Sequence, residues 1–302
     1  MAWQKKLYRI LKKPPLKDEP MSRHTSMKVG GPADFLIYPQ SIEELSRVLK
    51  LTQKEAIPLY VLGQGTNLLV RDGGIRGIVL SLADMCSFCD FSNNSIRAGA
   101  ALPLSTLGSK AAKRGLSGLE FTTGIPGSLG GALYMNAGAY GVTIGELVQE
   151  VSTIDFTGNC KIRSGRELKF SYRWSAFQEE EVIILDGVLE LISGDINKIE
   201  RKAKMILDER LAKHPLYPSA GSVFRNYPGK PAGFLIEQSG CKGMSIGGAQ
   251  VSLQHGNFII NRENATAGDI LALMEIVKQK VKDNFQIELE PEIKVVGENG
   301  SK

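Results

Sequence analysis

Long apolar runs are missing from this 302-residue chain. No stretch reaches the roughly 18 consecutive apolar residues that a membrane-crossing helix needs, so no integral membrane segment is expected. Cysteine is scarce, at four residues, and Cys86-x-x-Cys89 has no second pair to complete a tetrahedral zinc site. Its surroundings, LADMCSFCDFSNN, read as an irregular connection, not the strand-to-helix junction of a thiol redox motif. No metal site is expected, and the thiols read as incidental ones of a cytoplasmic protein. Strong charge of either sign is also lacking: the net charge of +5 suits anionic ligands but is too diffuse for nucleic acid. Two familiar signatures are absent as well, the Gly-Lys-Ser/Thr of a P-loop and the G-x-G-x-x-G dinucleotide fingerprint, and Ser222 does not lie in a G-x-S-x-G elbow.

What is present is glycine, concentrated in two places. Residues 118–141, GLEFTTGIPGSLGGALYMNAGAYG, hold seven glycines and a single charged residue, Glu120. Interior glycine costs a helix about 1 kcal/mol relative to alanine, so the composition predicts loop. Glycine leaves backbone N–H groups unshielded, and a diphosphate is the usual partner of such a run. A second loop, Gly63-Gln64-Gly65-Thr66-Asn67-Leu68, follows the apolar segment PLYV. Either loop alone could be a tight turn. Together they point to a large nucleotide cofactor.

The remaining pattern is that of a soluble α/β chain with 42% hydrophobic residues and room for two or three domains. Trp3, Leu7, Ile10 and Leu11 share one face of a basic N-terminal helix, either docked on the body of the protein or lying on a membrane surface. Strands are predicted at 34–39, 58–62, 77–82, 149–155, 182–191 and 287–296. Helices are predicted at 41–55, with Glu44 as capping-box partner of Ser41, and at 103–114, 196–213 and 267–284. The Thr266/Asp269 spacing introduces the last helix.

Three segments carry reactive groups. Arg173 lies among aromatics in SYRWSAF, where it could clamp a carboxylate or simply lie over the rings at the surface. Ser222 follows Gly221 in AGSVFRN and by itself reads as a turn residue. Glu290 and Glu292 alternate around Pro291 on the predicted last strand, sharing a face.

In order along the chain, these pieces resemble the UDP-N-acetylenolpyruvoylglucosamine reductase family. The matching segments are His24-Thr25-Ser26, Val29-Gly30-Gly31-Pro32-Ala33, Gly63 to Leu69, Asp72-Gly73-Gly74, Gly118 to Phe121, Gly124 to Ala132, Asn136 to Gly141, Tyr172-Arg173, Gly221 to Asn226 and Glu290-Pro291-Glu292. The resemblance implies an α+β protein. Its FAD-binding half, of the vanillyl-alcohol-oxidase (PCMH) type, would consist of two α/β subdomains (about 30–94 and 95–195) after an N-terminal lead-in, 1–29. A substrate-binding α+β domain, 196–300, would follow.

It further implies non-covalent FAD, held by Gly63, Gln64, Gly65, Thr66, Asn67 and Leu68 and by Thr123, Gly124, Ile125, Pro126, Gly127, Gly130 and Gly131. NADPH would be the reductant and the enolpyruvyl ether of UDP-N-acetylglucosamine the substrate, in peptidoglycan precursor synthesis, by a cytoplasmic monomer. Arg173, Ser222 and Glu292 match the family's catalytic positions, with Ser222 as proton donor to C2. Asn226 and Arg225 match substrate contacts, with Arg225 where the family more often has lysine. No tyrosine-loop insertion fits between Arg173 and Ser222. The chain therefore resembles the shorter type, with Tyr217 or Tyr227 as candidate covers. Glu292 either acts through Ser222 and Arg173 or is a protonated donor. Another flavoenzyme of the same fold and a non-catalytic nucleotide-sugar sensor are the alternatives.

Overall fold

The amphipathic spacing at the N-terminus produces helix α1 (Ala2–Ile10), with Leu7 fully buried and Trp3 edge-on to Phe35 at 5.3 Å. The helix is docked, which is one of the two fates its spacing allowed. In α2 (Ile42–Lys54) the Ser41 hydroxyl accepts from the Glu44 amide at 3.2 Å. The return half of the expected capping box is replaced: the Glu44 carboxylate accepts from the backbone N–H groups of Lys12 and Gln40 instead, at 2.9 and 3.0 Å. That carboxylate thus ties the N-terminal lead-in to the start of α2.

The computed structural model describes residues 2–300, and these fall into two units, each with its own core. The first comprises Met1–Leu16, Phe35–Gln64 and Gly77–Glu209. In it Leu59–Leu62 pairs in parallel with Ile78 to Ser81 of the strand Ile75–Ser81, the α/β unit expected there. A five-stranded antiparallel sheet follows, in the order Cys160–Ser164, Val148–Asp155, Val182–Glu190, Ser95–Gly99 and Cys89–Ser92. Helix α3 (Leu104–Ala112) buries Leu104, Leu107 and Ala111 in the same core. Cys86 is buried there too, and burial pushes its thiol pKa up to about 12, which leaves it unreactive.

One expectation fails in this unit. The glycine-rich segment contains a helix, α4 (Leu129–Met135), capped by Ser128. Tertiary packing overrides propensity here, because a Cβ at Gly130 would lie 2.8 Å from the Ala100 Cβ. Glycine inside this short helix is what lets it approach the neighbouring strand.

Helix α5 (Ile196–Lys213) forms over the predicted residues. The second unit comprises Lys17–Asp34, Gly65–Arg76 and Arg210–Lys302. Helices α6 (Ala232–Gln238) and α7 (Ala267–Phe285) pack with a three-stranded antiparallel sheet of Ser245–Ile246, Ala249–Val251 and Ile259–Asn261. The predicted Thr266/Asp269 capping box is present, and Asp72 of the Asp-Gly-Gly motif also caps α7 through the amides of Ala267 and Gly268.

The predicted strand 287–296 is cut down to Lys294–Val296, which pairs in parallel with Leu68–Val70. Pro291 has no N–H for a ladder, so residues 290–292 make only an isolated bridge to Phe224. The same-face argument for Glu290 and Glu292 therefore loses its strand.

At the end of α5, His214 packs against Phe258 (5.0 Å) and His255 (5.7 Å). Burial foremost, then Arg210, His255 and Lys213, push its pKa down to about 4. The unfolded chain, titrating near 6.5, binds this proton first as pH falls. Stability from His214 is thus present above pH ~6.5 and lost as pH falls through about 4. Thermal melts of His214→Gln are expected to show a shallower fall in Tm over that window than the wild type.

Candidate active site

Within the first unit, the start of the first glycine loop, Gly63-Gln64, lies beside the second. A Cβ at Gly63 would sit 3.2 Å from the Ser128 hydroxyl oxygen, so the end of the first loop's strand lies against the end of the second loop. In the second loop, Gly124 and Gly127 have φ of +72° and +140°, which glycine alone takes without strain. Several of its amides are already engaged: Thr123 to Glu120 O, Ile125 to Thr122 O, Gly130 to Ala100 O and Gly131 to the Ser128 hydroxyl. Among the described residues, no hydrogen bond of this chain uses the amides of Gly127 and Ser128, nor those of Gly63, Gln64, Gly65 and Asn67. Within the first unit, the unengaged N–H groups of Gly63, Gln64, Gly127 and Ser128 form two short runs of the kind a diphosphate cradle requires.

Arg173 belongs to the same unit and is held with care. Phe170–Ser171 and Trp174–Ser175 form a hairpin whose two-residue turn is Tyr172-Arg173. Arg173 takes φ +53°, a conformation that costs a residue with a Cβ about 1–2 kcal/mol. Surrounding bonds hold it there. Gln178 Nε2 donates to the Arg173 carbonyl at 3.1 Å, Asn136 Nδ2 donates to the Ser171 carbonyl at 2.8 Å, and the Ser175 hydroxyl donates to the Tyr134 carbonyl at 2.7 Å. The guanidinium donates to Gly138 O at 3.2 Å and lies 5.3 Å from the Tyr172 ring. These bonds keep the hairpin turn in its strained conformation.

The second unit gathers the other candidates. Gly221, at φ +76° with open space around it, turns the chain into Ser222. The next residue is bonded on both edges: Val223 N–H to Asn257 O at 2.9 Å, and Val223 O from the Glu292 amide at 2.7 Å. Arg225 N–H donates to Glu290 O at 2.8 Å. Ser222, Arg225 and Glu292 are therefore on facing backbone segments. The later half of the first glycine loop joins them, since Asn67 Nδ2 donates to Glu292 O at 3.2 Å and Lys294 N–H donates to Asn67 O at 3.0 Å. Among the described residues, no hydrogen bond engages the Ser222 hydroxyl.

Arg225 Nε is buried without a hydrogen-bond partner, and burial together with the Arg225 charge lowers the pKa of Lys294. Lys294 was not visible from the sequence, where it reads as an ordinary strand residue. Asn226 Oδ1 accepts from the Ala232 amide at 3.0 Å and so anchors the start of α6. Tyr217 and Tyr227 are both half exposed. Gln178 and Asn257 were not singled out in the sequence, and Asn136 entered only as part of a matching segment, because their bonds to backbone groups of other segments are not displayed there.

The description "FAD binding domain" matches residues 33–162, and "UDP-N-acetylenolpyruvoylglucosamine reductase, C-terminal domain" matches residues 212–296. The UDP-N-acetylenolpyruvoylglucosamine reductase of Caldanaerobacter subterraneus subsp. tengcongensis is 48% identical over 97% of both chains. The chain belongs to the UDP-N-acetylenolpyruvoylglucosamine reductase family. The enzyme of that name from Syntrophomonas wolfei is 46% identical over 93% of this chain and 94% of its own. The crystal structure of the UDP-N-acetylenolpyruvylglucosamine reductase of Thermus caldophilus superposes with a TM-score of 0.81 at 35% identity, over 91% of this chain and 97% of that one.

Membership makes the protein an FAD-dependent oxidoreductase of peptidoglycan precursor synthesis, and the α+β architecture with a PCMH-type FAD-binding half stands. Among the described residues, no helix is long and apolar enough to cross a membrane.

Proposed function

We propose that this chain, a cytoplasmic monomer, uses NADPH to reduce the enolpyruvyl ether of UDP-N-acetylglucosamine to UDP-N-acetylmuramate. Residues 30–195 would bind FAD and residues 196–300 the substrate. The observation that carries the reading is the bonding of Ser222's neighbour Val223 to Glu292, and of Glu292 in turn to Asn67 of a glycine loop. A proton donor, a carboxyl group and a cofactor loop then share one rigid backbone cluster.

FAD fits the residues present, because in the first unit the amides of Gly63, Gln64, Gly127 and Ser128 are unengaged and available to its diphosphate. Gly65, Thr66, Asn67 and Leu68, with Gly124, Pro126, Gly130 and Gly131, would be its further contacts. When bound, FAD would supply hydride-transfer chemistry, linking NADPH as reductant to C3 of the enolpyruvyl group. The chain's own residues handle the charge and the proton. Arg173 offsets the negative charge that develops on C2 and its carboxylate, where a preoriented cation is most effective. The Ser222 hydroxyl delivers the proton to C2; an enolate carbon is basic enough to take it from a weak acid within hydrogen-bond reach. Glu292 keeps two possible roles, polarising Ser222 or donating as a neutral acid. Arg225, with Lys294 and Asn226, would take the diphosphate of the sugar nucleotide, which would give the buried Arg225 Nε an acceptor.

The test is optical. Yellow holoenzyme should bleach on adding NADPH and recover its colour only when the enolpyruvyl sugar nucleotide follows; recovery without it, or no bleaching, sinks the proposal. Arg173→Lys keeps a charge but loses the planar fork. It is expected to slow recovery by about 10²-fold at unchanged bleaching, the usual cost of one lost electrostatic partner. A wild-type recovery rate would remove Arg173 from the chemistry.

A further inference from the structure

The segment that carries Ser222 belongs to no sheet, yet every backbone group from Val223 N to Arg225 N is bonded. On one edge stand Glu290 and Glu292, already described. The other edge is a single residue. Asn257, only 3% exposed, accepts from Val223 N–H through its own carbonyl at 2.9 Å. Its side chain then accepts from Phe224 N–H through Oδ1 at 2.9 Å and donates from Nδ2 to Phe224 O at 2.8 Å. A carboxamide carries the same donor and acceptor as a peptide unit, so the side chain supplies the rungs that a neighbouring strand would supply.

We propose that Asn257 is a positioning residue, standing in for a missing strand so that Ser222 is set at a fixed distance from Glu292. The inference rests on the reading of Ser222 as proton donor. No other side chain meets both demands. Glutamine is longer by one methylene, and an aspartate would turn an acceptor toward the Phe224 carbonyl oxygen.

Asn257 is in turn held by His255, whose Nδ1 accepts from the Asn257 N–H at 3.2 Å; that bond places the ring proton on Nε2. The His255 ring lies 4.9 Å from Phe258 and 5.7 Å from His214, and a Cβ at Gly233 on α6 would approach its Cε1 to 3.1 Å. Burial, then the Lys242 charge, lowers the His255 pKa against the opposing pull of its backbone bond and of Glu237, which favours the neutral ring that accepts this bond. The chain of support runs from a packed imidazole through a buried amide to the residue after the serine.

Asn257→Asp tests this, because protonated aspartic acid reproduces both side-chain bonds and ionised aspartate reproduces only one. In single-turnover experiments the holoenzyme is first reduced with NADPH, then mixed with the enolpyruvyl sugar nucleotide across pH. Near the acid end the variant should recover colour within about 3-fold of wild type. As pH rises through an ionisation absent from wild type, the rate should fall by about 100-fold, the cost expected when a reacting group is displaced by about 1 Å. Bleaching by NADPH should stay flat. His255, Glu290, Glu292 and Arg225 border the site, and His214, Glu237 and Lys242 surround His255, so the wild-type profile measured alongside removes their titrations.

Ser222→Ala separates the two levels of the reading. If that variant is slow and Asn257→Asp follows wild type at every pH, the positioning role is overturned while Ser222 stands. If Ser222→Ala is as fast as wild type, both fall. Equal loss of bleaching and recovery in Asn257→Asp would mark a general defect and also overturn the inference. Should the variant not yield holoprotein, hydrogen exchange on the wild-type holoenzyme decides: the Val223 and Phe224 amides must exchange as slowly as that of Glu292, and fast exchange refutes the proposal.

Discussion

Ser222→Ala is expected to leave reduction by NADPH within about 2-fold of wild type and to slow oxidation by the enolpyruvyl substrate by about 10²- to 10⁴-fold, the usual worth of a positioned proton donor. The asymmetry follows from where the hydroxyl acts. It delivers a proton to a substrate carbon, an event of the second half-reaction only. Val223 and Phe224 keep their bonds to Asn257 and Glu292 in the variant, so the backbone cluster should survive the loss of one oxygen. Stopped-flow absorbance separates the two steps directly. If both slow together, Ser222 has a structural role and the acid lies elsewhere; if neither slows, the proton comes from another donor.

Gly65→Ala should strip the protein of its cofactor. Gly65 takes φ +62°, and an added Cβ would meet the His24 carbonyl oxygen at 2.0 Å and its carbon at 3.0 Å. Those atoms are backbone and cannot swing aside, while the Gly65 carbonyl is itself tied to the Ser26 amide at 3.0 Å. The loop must therefore shift, carrying its unengaged amides with it. Losing one hydrogen bond to a charged oxygen costs about 1.5–3 kcal/mol, or about 10- to 100-fold in retained FAD. Gly141→Ala is the matched control. Its φ of +79° carries the same backbone penalty, but no atom lies within 4 Å of the added carbon. Equal absorbance at flavin wavelengths in the two purified variants would refute a cofactor role for the 63–68 loop.

Elements driven by local pattern were legible in advance. Helix α5 spans the predicted residues, α7 begins at the predicted capping box, and α1 forms from an apolar face only a few residues long. These depend on neighbours three and four residues away, which a sequence displays. The misses share a different cause. Helix α4 was hidden by glycines that serve close packing on Ala100, and the last strand was overestimated because residues 290–292 bond to residues 223–225 rather than to a sheet.

The candidate site divides along the same line. Residue types singled out the glycine loops, because a diphosphate needs bare amides, whereas Arg173, Ser222 and Glu292 stood out only through the resemblance to the reductase family, each alone reading as an ordinary surface or turn residue. Only the tertiary structure showed which amides are unengaged, that Arg173 is held at a strained φ, and that the Arg225 Nε is buried without a hydrogen-bond partner. It alone revealed Asn257, 35 positions beyond Ser222 in the numbering, as the partner of the serine's segment. The physical reason is range. Chemistry and helix propensity are properties of a residue and its near neighbours, whereas hydrogen-bond partnership between distant segments exists only once the backbone has closed on itself.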